Sequence, residues 1–262
     1  MRWLLALCFC LGSGLVQAFD HSHSAWNSLL QRHLVEISGG KASQLDYAGV
    51  LREREALGAY LKELSTVETS EYQTWNRDQQ LAFLINAYNA FTVELVLSGY
   101  PGIESIKDLG SLFRSPWKQR FFTLLGEKRH LDNLEHELIR APGIFDEPRI
   151  HFAVNCASIG CPMLRGEAFV AERLDSQLDD ATRRFLADRS RNRFDGDSGR
   201  LQVSKIFDWY GEDFEKAADS LKGYLSAYAE LLAETEQGQD RLRAGDYRIG
   251  YLDYDWRLNG LP

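Results

Sequence analysis

The chain has 262 residues, of which 44% are hydrophobic, 12% aromatic and 26% charged. This composition is that of a globular protein with a sizeable core, and it excludes disordered, collagen-like and coiled-coil chains. The length fits one large domain. The formal net charge of −8 gives no electrostatic reason for nucleic acid or an anionic membrane to be the main partner.

The first eighteen residues have the pattern of a secretory signal peptide. An early arginine precedes an apolar run, and small residues at its end give a cleavage site after Ala18. The run is shorter than the about 20 apolar residues of a membrane span, although an uncleaved anchor is the alternative. We therefore predict a signal peptide over 1–18, a mature single domain over 19–262, and a periplasmic or secreted location with no membrane span.

The predicted elements are mostly helices, and the strands are short and occur late in the chain. Residues 79–98 are apolar on nearly every side, which predicts a helix in the core. Residues 149–155 alternate between polar and apolar side chains, which predicts a strand. Further helices are predicted within 20–63 and at 134–141, 174–187 and 214–236. Further strands are predicted at a hairpin around 123–127 and at 201–207 and 247–251. The predicted fold class is α+β, a mostly helical single domain with a small, largely antiparallel sheet.

The densest cluster of reactive side chains lies between Arg149 and Pro162. The predicted strand carries Arg149 and His151 on one face and leads into a turn of small residues, with Cys156 at the junction. Such a turn leaves backbone N–H groups free to bind an anion or an oxyanion. Cys156 and Cys161 are also the two cysteines of the mature chain, and export favours a disulfide between them. A nucleophilic thiol and a structural pair both remain open.

A thiol needs a base, and His136 and His151 are the candidates. Each histidine could instead be satisfied by a backbone carbonyl. His136 shares a helix face with Arg140, four residues further on. Glu135 could orient an imidazole, but with Asp132 it also predicts a capping box at the start of that helix.

Asn86 and Asn89 lie three residues apart in the most apolar helix. Burying an amide without partners costs about 1–3 kcal/mol, so two buried amides imply a specific polar network. The network could orient a catalytic imidazole or hold a substrate. It could also fix irregular backbone nearby, which is the interpretation we favour.

Metal and cofactor motifs are weak or absent from this sequence. Two histidines and two cysteines, His136, His151, Cys156 and Cys161, are suitable zinc ligands, but the cysteine spacing is wide and no His-x3-5-His pair accompanies it. The dinucleotide-binding, P-loop, serine-hydrolase and zinc-protease motifs do not occur. We therefore predict no metal and no cofactor.

Four ordered blocks of sequence resemble the DUF547 family over roughly Leu45 to Asn259. The blocks are 83–90 (FLINAYNA), 134–140 (LEHELIR), 148–162 (PRIHFAVNCASIGCP) and 254–259 (YDWRLN). Members of this family occur in exported bacterial proteins and in plant and animal proteins, and the family's function is undefined. The resemblance implies a papain-like or transglutaminase-like thiol enzyme with Cys156 as nucleophile. Because the histidines precede the cysteine in the chain, the arrangement would be a permuted one.

Two functions of different classes follow from these patterns. The first is an exported thiol-dependent hydrolase or acyltransferase that acts on an amide or peptide substrate. The alternative is a non-catalytic binding module for a small thiol, a peptide or a cell-wall fragment, with Cys156 and Cys161 as a structural pair. A third option is an inactive scaffold that docks a partner protein. No nucleic acid partner is expected.

The predicted site has two groups of residues. The predicted catalytic residues are Cys156, His136, His151, Glu135 and Asn86. The predicted substrate-binding residues are Asn89, Arg149, Asn155, Arg140 and Ser158.

Overall fold

The structure, a computed structural model, describes residues 18–111 and 113–261. Residues 1–17 of the predicted signal peptide lie outside the described residues. The α-helices are Ser24–His33 (α1), Tyr47–Arg52 (α2), Arg54–Thr66 (α3), Thr69–Tyr72 (α4), Arg77–Leu97 (α5), Leu131–Asn133 (α6), Leu174–Leu186 (α7), Ile206–Trp209 (α8), Gly211–Ala218 (α9), Leu221–Ser226 (α10), Ala229–Leu232 (α11) and Glu236–Arg243 (α12). Short 3-10 helices are Ile106–Leu109, Pro116–Lys118, Pro148–Phe152 and Ala171–Arg173, and a π-helical segment, Leu134–Ile139, continues α6.

The strands form three small sheets rather than one. They are Leu34–Ile37 (β1), Ala42–Leu45 (β2), Phe122–Leu124 (β3), Glu127–Arg129 (β4), Arg193–Asp195 (β5), Arg200–Val203 (β6) and Arg248–Tyr251 (β7). β1 pairs with β2, β3 with β4 and β5 with β6, all antiparallel, whereas β7 lies parallel to β6. The predicted class, a mostly helical α+β fold with largely antiparallel strands, is confirmed.

Helix α5 is the centre of the larger core, as its sequence predicts. Asn76 begins the helix with a capping box, because its side chain accepts from the backbone of Gln79 and the Gln79 side chain accepts in return. The helix is long and apolar enough to cross a membrane, but 89% of its most apolar window is buried inside the fold. Its apolar faces are therefore covered by other parts of this chain.

A second core packs around Phe207 and Phe214, and the segment before Cys156 runs between the two cores. Ile150 contributes to the core of α5, whereas Phe152 belongs to the second core. The segment 149–155 is consequently held from both sides by buried apolar side chains.

The predicted strand at 149–155 is wrong. Pro148–Phe152 forms a 3-10 helix, in which the Glu147 side chain accepts a hydrogen bond from the backbone N–H of Arg149. Its buried residues Ile150, His151 and Phe152 are consecutive, and the two apolar ones enter different cores. The alternation in the sequence therefore does not reflect the two faces of a sheet.

Other predicted boundaries change where local chemistry interrupts a periodic pattern. The helical stretch within 20–63 is divided by the β1–β2 hairpin. The predicted helix at 214–236 is three short helices, α9 to α11, because Asp219 adopts a left-handed conformation and Ser220 caps α10. The predicted hairpin at 123–127 and the helix at 174–187 are confirmed.

Candidate functional site

Asn89 fixes the main chain that leads into Cys156. Its side-chain oxygen accepts from the backbone N–H of Asn155 at 2.8 Å, and its amide nitrogen donates to the carbonyl of Ala153 at 3.0 Å. Asn89 is itself buried on α5. Two specific hydrogen bonds therefore join α5 to the segment that precedes Cys156.

Asn155 closes the turn that follows. Its side chain accepts from the backbone N–H of Ala157 at 2.9 Å and donates to the carbonyl of Pro162 at 2.7 Å. Ala157 has a φ of 62°, a left-handed conformation that is costly for a residue other than glycine. Asn259 donates from its side chain to Asn155 and from its backbone to the carbonyl of Ala157. The turn after Cys156 is thus held in a strained shape by buried amides.

Cys156 and Cys161 form a disulfide across this turn, with their Cα atoms 6.1 Å apart. Cys161 is buried and Cys156 is half-buried. The Sγ atom of Cys156 lies 3.0 Å from the hydroxyl of Ser158 and 3.1 Å from that of Tyr254. Of the two states that the sequence leaves open, the structure contains the oxidised pair, with two hydroxyl groups beside its more exposed sulfur.

The disulfide lines a cavity of about 240 Å³. Six of its sixteen lining residues are tyrosine or tryptophan, and two carboxylates and two imidazoles are its acidic and basic groups. The lining residues are Tyr88, Ser115, Trp117, Asp132, Glu135, His136, His151, Val154, Cys156, Cys161, Pro162, Ile206, Trp209, Tyr210, Tyr254 and Trp256. This lining contains no lysine or arginine. An apolar pocket with a few convergent polar groups is the usual form of a small-ligand site.

His151 is the buried imidazole of this cavity, with only 2% of its surface exposed. Its Nε2 atom lies 2.8 Å from a carboxylate oxygen of Asp213, and its ring stacks on Tyr210 at 4.0 Å. Burial lowers the pKa of His151, so the neutral ring is favoured. Its Nδ1 atom has no hydrogen-bond partner among the described residues. Since a carboxylate only accepts, Nε2 carries the proton and Nδ1 keeps a free lone pair.

Asp213 is the orienting carboxylate that the sequence analysis missed. Burial opposes its ionisation, but hydrogen bonds from His151 and Arg140 hold its pKa well below the usual value. The Arg140 Nε atom donates to the same oxygen of Asp213 at 2.7 Å, and its guanidinium lies 4.6 Å from the centre of the Tyr210 ring. In the sequence, Asp213 lies between two aromatic residues, Tyr210 and Phe214, whose side chains point into the fold. This position is the signal that could have indicated Asp213 as a site residue.

His136 occupies a different environment at the rim of the cavity, where 39% of its side chain is exposed. Its Nδ1 atom contacts the guanidinium of Arg140, and its Nε2 atom lies 3.6 Å from Asp132. Both ring nitrogens are therefore engaged. Of the two imidazoles of the cavity, His151 is the one with a buried ring nitrogen that has no hydrogen-bond partner among the described residues.

Glu135 does not complete a capping box, so that prediction is wrong. His130 caps α6 by accepting from the backbone N–H of Asn133. The π-helical segment that follows places Glu135 in the cavity, where it is only 6% exposed and accepts from the hydroxyl of Tyr210 at 2.7 Å. Irregular helical turns of this kind are frequent at functional sites. Burial and the nearby Glu135 charge raise the pKa of Tyr210.

Six predicted site residues do not line the cavity. Asn89, Asn155 and Ser158 contact the Cys156 turn, and Arg140 contacts Asp213 and His136. The other two, Asn86 and Arg149, bond elsewhere. Asn86 donates to the carbonyl of Phe169 and accepts from its backbone N–H, so it fixes a separate loop. Arg149 pairs with Glu147 and Asp175 and does not line the cavity.

The described residues contain no group of three or more histidine, cysteine, aspartate or glutamate side chains placed to hold a metal ion.

Comparison with known proteins identifies one family. Residues 72–186 match the model of DUF547, described as a protein of unknown function. No curated protein and no solved structure matched the chain. The matched segment contains Asn89, His151 and Cys156, whereas Asp213 and Tyr254 come after it.

Proposed function

This chain belongs to the DUF547 family, and we propose that it is an exported thiol-dependent enzyme that cleaves or transfers an acyl group at an amide or peptide bond. Cys156 is its nucleophile, His151 its base and Asp213 the residue that orients the base. The observation that carries this proposal is the free Nδ1 atom of His151, buried in the cavity that Cys156 lines. A nucleophile, a base and an orienting acid in one cavity form the arrangement of thiol and serine acyl-transfer enzymes.

The disulfide is the resting form of the enzyme in this proposal. A dithiol reductant attacks one sulfur, the S–S bond breaks, and the reductant leaves as its own disulfide. Two electrons and two protons pass to Cys156 and Cys161, which become free thiols. The Cys156 side chain can then rotate away from Cys161 toward His151. Disulfides persist outside the cytosol, which supports the proposed periplasmic or secreted location.

Acyl transfer then follows from the groups around Cys156. His151 takes the thiol proton at Nδ1, and the sulfur forms a bond with the substrate carbonyl carbon. The carbon–nitrogen bond breaks, and the amine leaves with the proton that His151 returns. Water or a second amine then attacks the thioester and regenerates the thiol. The hydroxyl groups of Ser158 and Tyr254 lie beside the sulfur and can donate to the developing oxyanion.

The test is the pH dependence of Cys156 alkylation after mild reduction, with Cys161 followed separately by peptide mapping. We expect Cys156 to react well below the ordinary thiol pKa of about 8.5, and to lose this reactivity in His151→Ala. Asp213→Asn should lose part of it. His136→Ala is the matched control and should keep it. Ordinary thiol behaviour in the wild type, or equal effects of the two histidine variants, would refute the proposal.

The second candidate function is a non-catalytic binding module for a small thiol, a peptide or a cell-wall fragment. The observation that favours it is the disulfide itself, which leaves no thiol in the aromatic cavity. An unreactive Cys156 after reduction, together with ligand binding by the oxidised protein, would support this function instead.

A further inference from the structure

The charges of the cavity are unevenly distributed. Asp132 and Glu135 are its two carboxylates, and no lysine or arginine is among its lining residues. Asp132 is partly compensated, since its oxygens lie 3.6 Å from His136 and 3.9 Å from Lys118. The cationic Arg140 contacts His136 at the rim but is itself paired with Asp213. The interior of the cavity therefore carries net negative charge.

Glu135 is the deeper of the two carboxylates and has no cationic partner. Among the described residues, no lysine, arginine or histidine nitrogen lies within 4 Å of it. Its hydrogen-bond partners are neutral hydroxyl groups, that of Tyr210 at 2.7 Å and that of Tyr88. Buried carboxylates are normally paired, because an isolated charge in a low-dielectric site is costly. A ligand that brings a positive charge would supply the missing partner.

The wall around this carboxylate is suited to an organic cation. Trp209, Tyr254 and Trp256 form a contiguous cluster, with ring centres 4.5 to 5.7 Å apart. The face of an aromatic ring attracts cations. Trp256 already does so, since the Lys107 ammonium lies 3.6 Å from the centre of its ring. Lys107 itself does not line the cavity.

From these contacts we propose that the cavity binds a substrate that carries a protonated amine, and that Glu135 binds this amine beside the aromatic wall. This inference rests on the proposed function for the reaction, but it concerns the ligand alone. Glu135 is then a specificity residue, and its hydrogen bond to Tyr210 keeps the carboxylate directed into the cavity.

The test compares three probes of similar length, the N-acetyl amides of lysine, glutamine and glutamate. Binding to the oxidised protein is followed by the fluorescence of the cavity tryptophans, so no acyl transfer takes place. We expect the lysine probe to bind about tenfold more tightly than the glutamate probe, with glutamine between them. Equal or tighter binding of the glutamate probe, or no binding of the lysine probe, would overturn the inference.

Two variants assign the preference to one carboxylate. Glu135→Gln keeps an oxygen that accepts from Tyr210 but removes the charge, and it should abolish the preference for lysine. Glu137→Gln is the matched control, since Glu137 is exposed on the same segment and does not line the cavity. Thermal unfolding checks that both variants are folded. A preference that survives in Glu135→Gln would contradict the assignment.

The binding test and the alkylation test can fail separately. A lysine preference with an unreactive Cys156 would keep the ligand class and reject the enzyme. A reactive Cys156 without a lysine preference would reject the ligand class and keep the enzyme.

Discussion

Replacement of Asn89 by alanine tests whether α5 controls the Cys156 turn. Asn89 satisfies one buried N–H and one buried carbonyl of the segment that enters the turn. Asn86 provides a close control, because it lies three residues earlier on the same helix and makes the same pair of bonds to Phe169. Both side chains are buried, so the two variants differ mainly in the segment that they release.

The expected loss of stability is similar for both variants. A buried backbone group left without a partner costs about 1–3 kcal/mol, so two such groups cost about 2–6 kcal/mol. This is a large fraction of the about 5–15 kcal/mol that stabilises an ordinary domain, and it is measured by urea unfolding at low temperature. A loss below about 1 kcal/mol in either variant would show that the amide bonds are not made as described.

The reactivity of the reduced thiol should separate the two variants. In Asn89→Ala we expect the alkylation profile of Cys156 to move toward that of an ordinary thiol, because the backbone before the turn is released. In Asn86→Ala the profile should stay that of the wild type. An equal shift in both would show that reactivity follows global stability and would refute the proposed control by Asn89.

Three further measurements address other contacts. The Cys161→Ser variant should lose about 2 kcal/mol of unfolding free energy under oxidising conditions, a modest loss because the two bridged cysteines are only five positions apart in the chain; an unchanged urea midpoint would contradict this. Tyr210→Phe should lose about 1.5–3 kcal/mol in urea unfolding, since it removes the hydroxyl that donates to the Glu135 carboxylate, and no loss would mean that this bond is not made. Burial lowers the pKa of His23 from 6.5 to about 3, so the stability gained from its neutral form is complete above pH 6.5 and is lost as the pH falls toward 3. Between pH 6.5 and 4 the wild type should therefore lose more stability than His23→Gln, and parallel curves would refute the effect.

Features with a strong local signal could be predicted from the sequence. A helix over residues 79–98 has no polar face wide enough to lie against solvent. The sequence therefore predicts a helix buried in the core. The hairpin around Gly126 and the helix Leu174–Leu186 likewise follow from a turn residue and a regular apolar period. The two asparagines of α5 were expected to fix irregular backbone, and both bind backbone groups.

Features that depend on tertiary contacts could not be predicted in the same way. The segment 149–155 alternates like a strand, but its side chains enter two separate cores, which local periodicity does not reveal. Glu135 has the spacing of a capping residue. His130 caps α6 instead, and the side chain of Glu135 lies in the cavity. Asp213 lies 62 residues from His151 in the chain, so their pairing has no local signature.

The hydrogen bonds that hold the Cys156 turn have a consequence for the order of folding. The hydroxyl of Tyr47 donates to the side chain of Asn259, 212 residues away, and Asn259 in turn holds Asn155. Contacts of such high sequence separation form late, after local helices and hairpins. Tyr254, which borders the sulfur, belongs to the same late segment. Both thiols are therefore open to an oxidant before the cavity closes over them, so we expect the disulfide to form early. The reduction that the proposed function requires would then be a separate, later step.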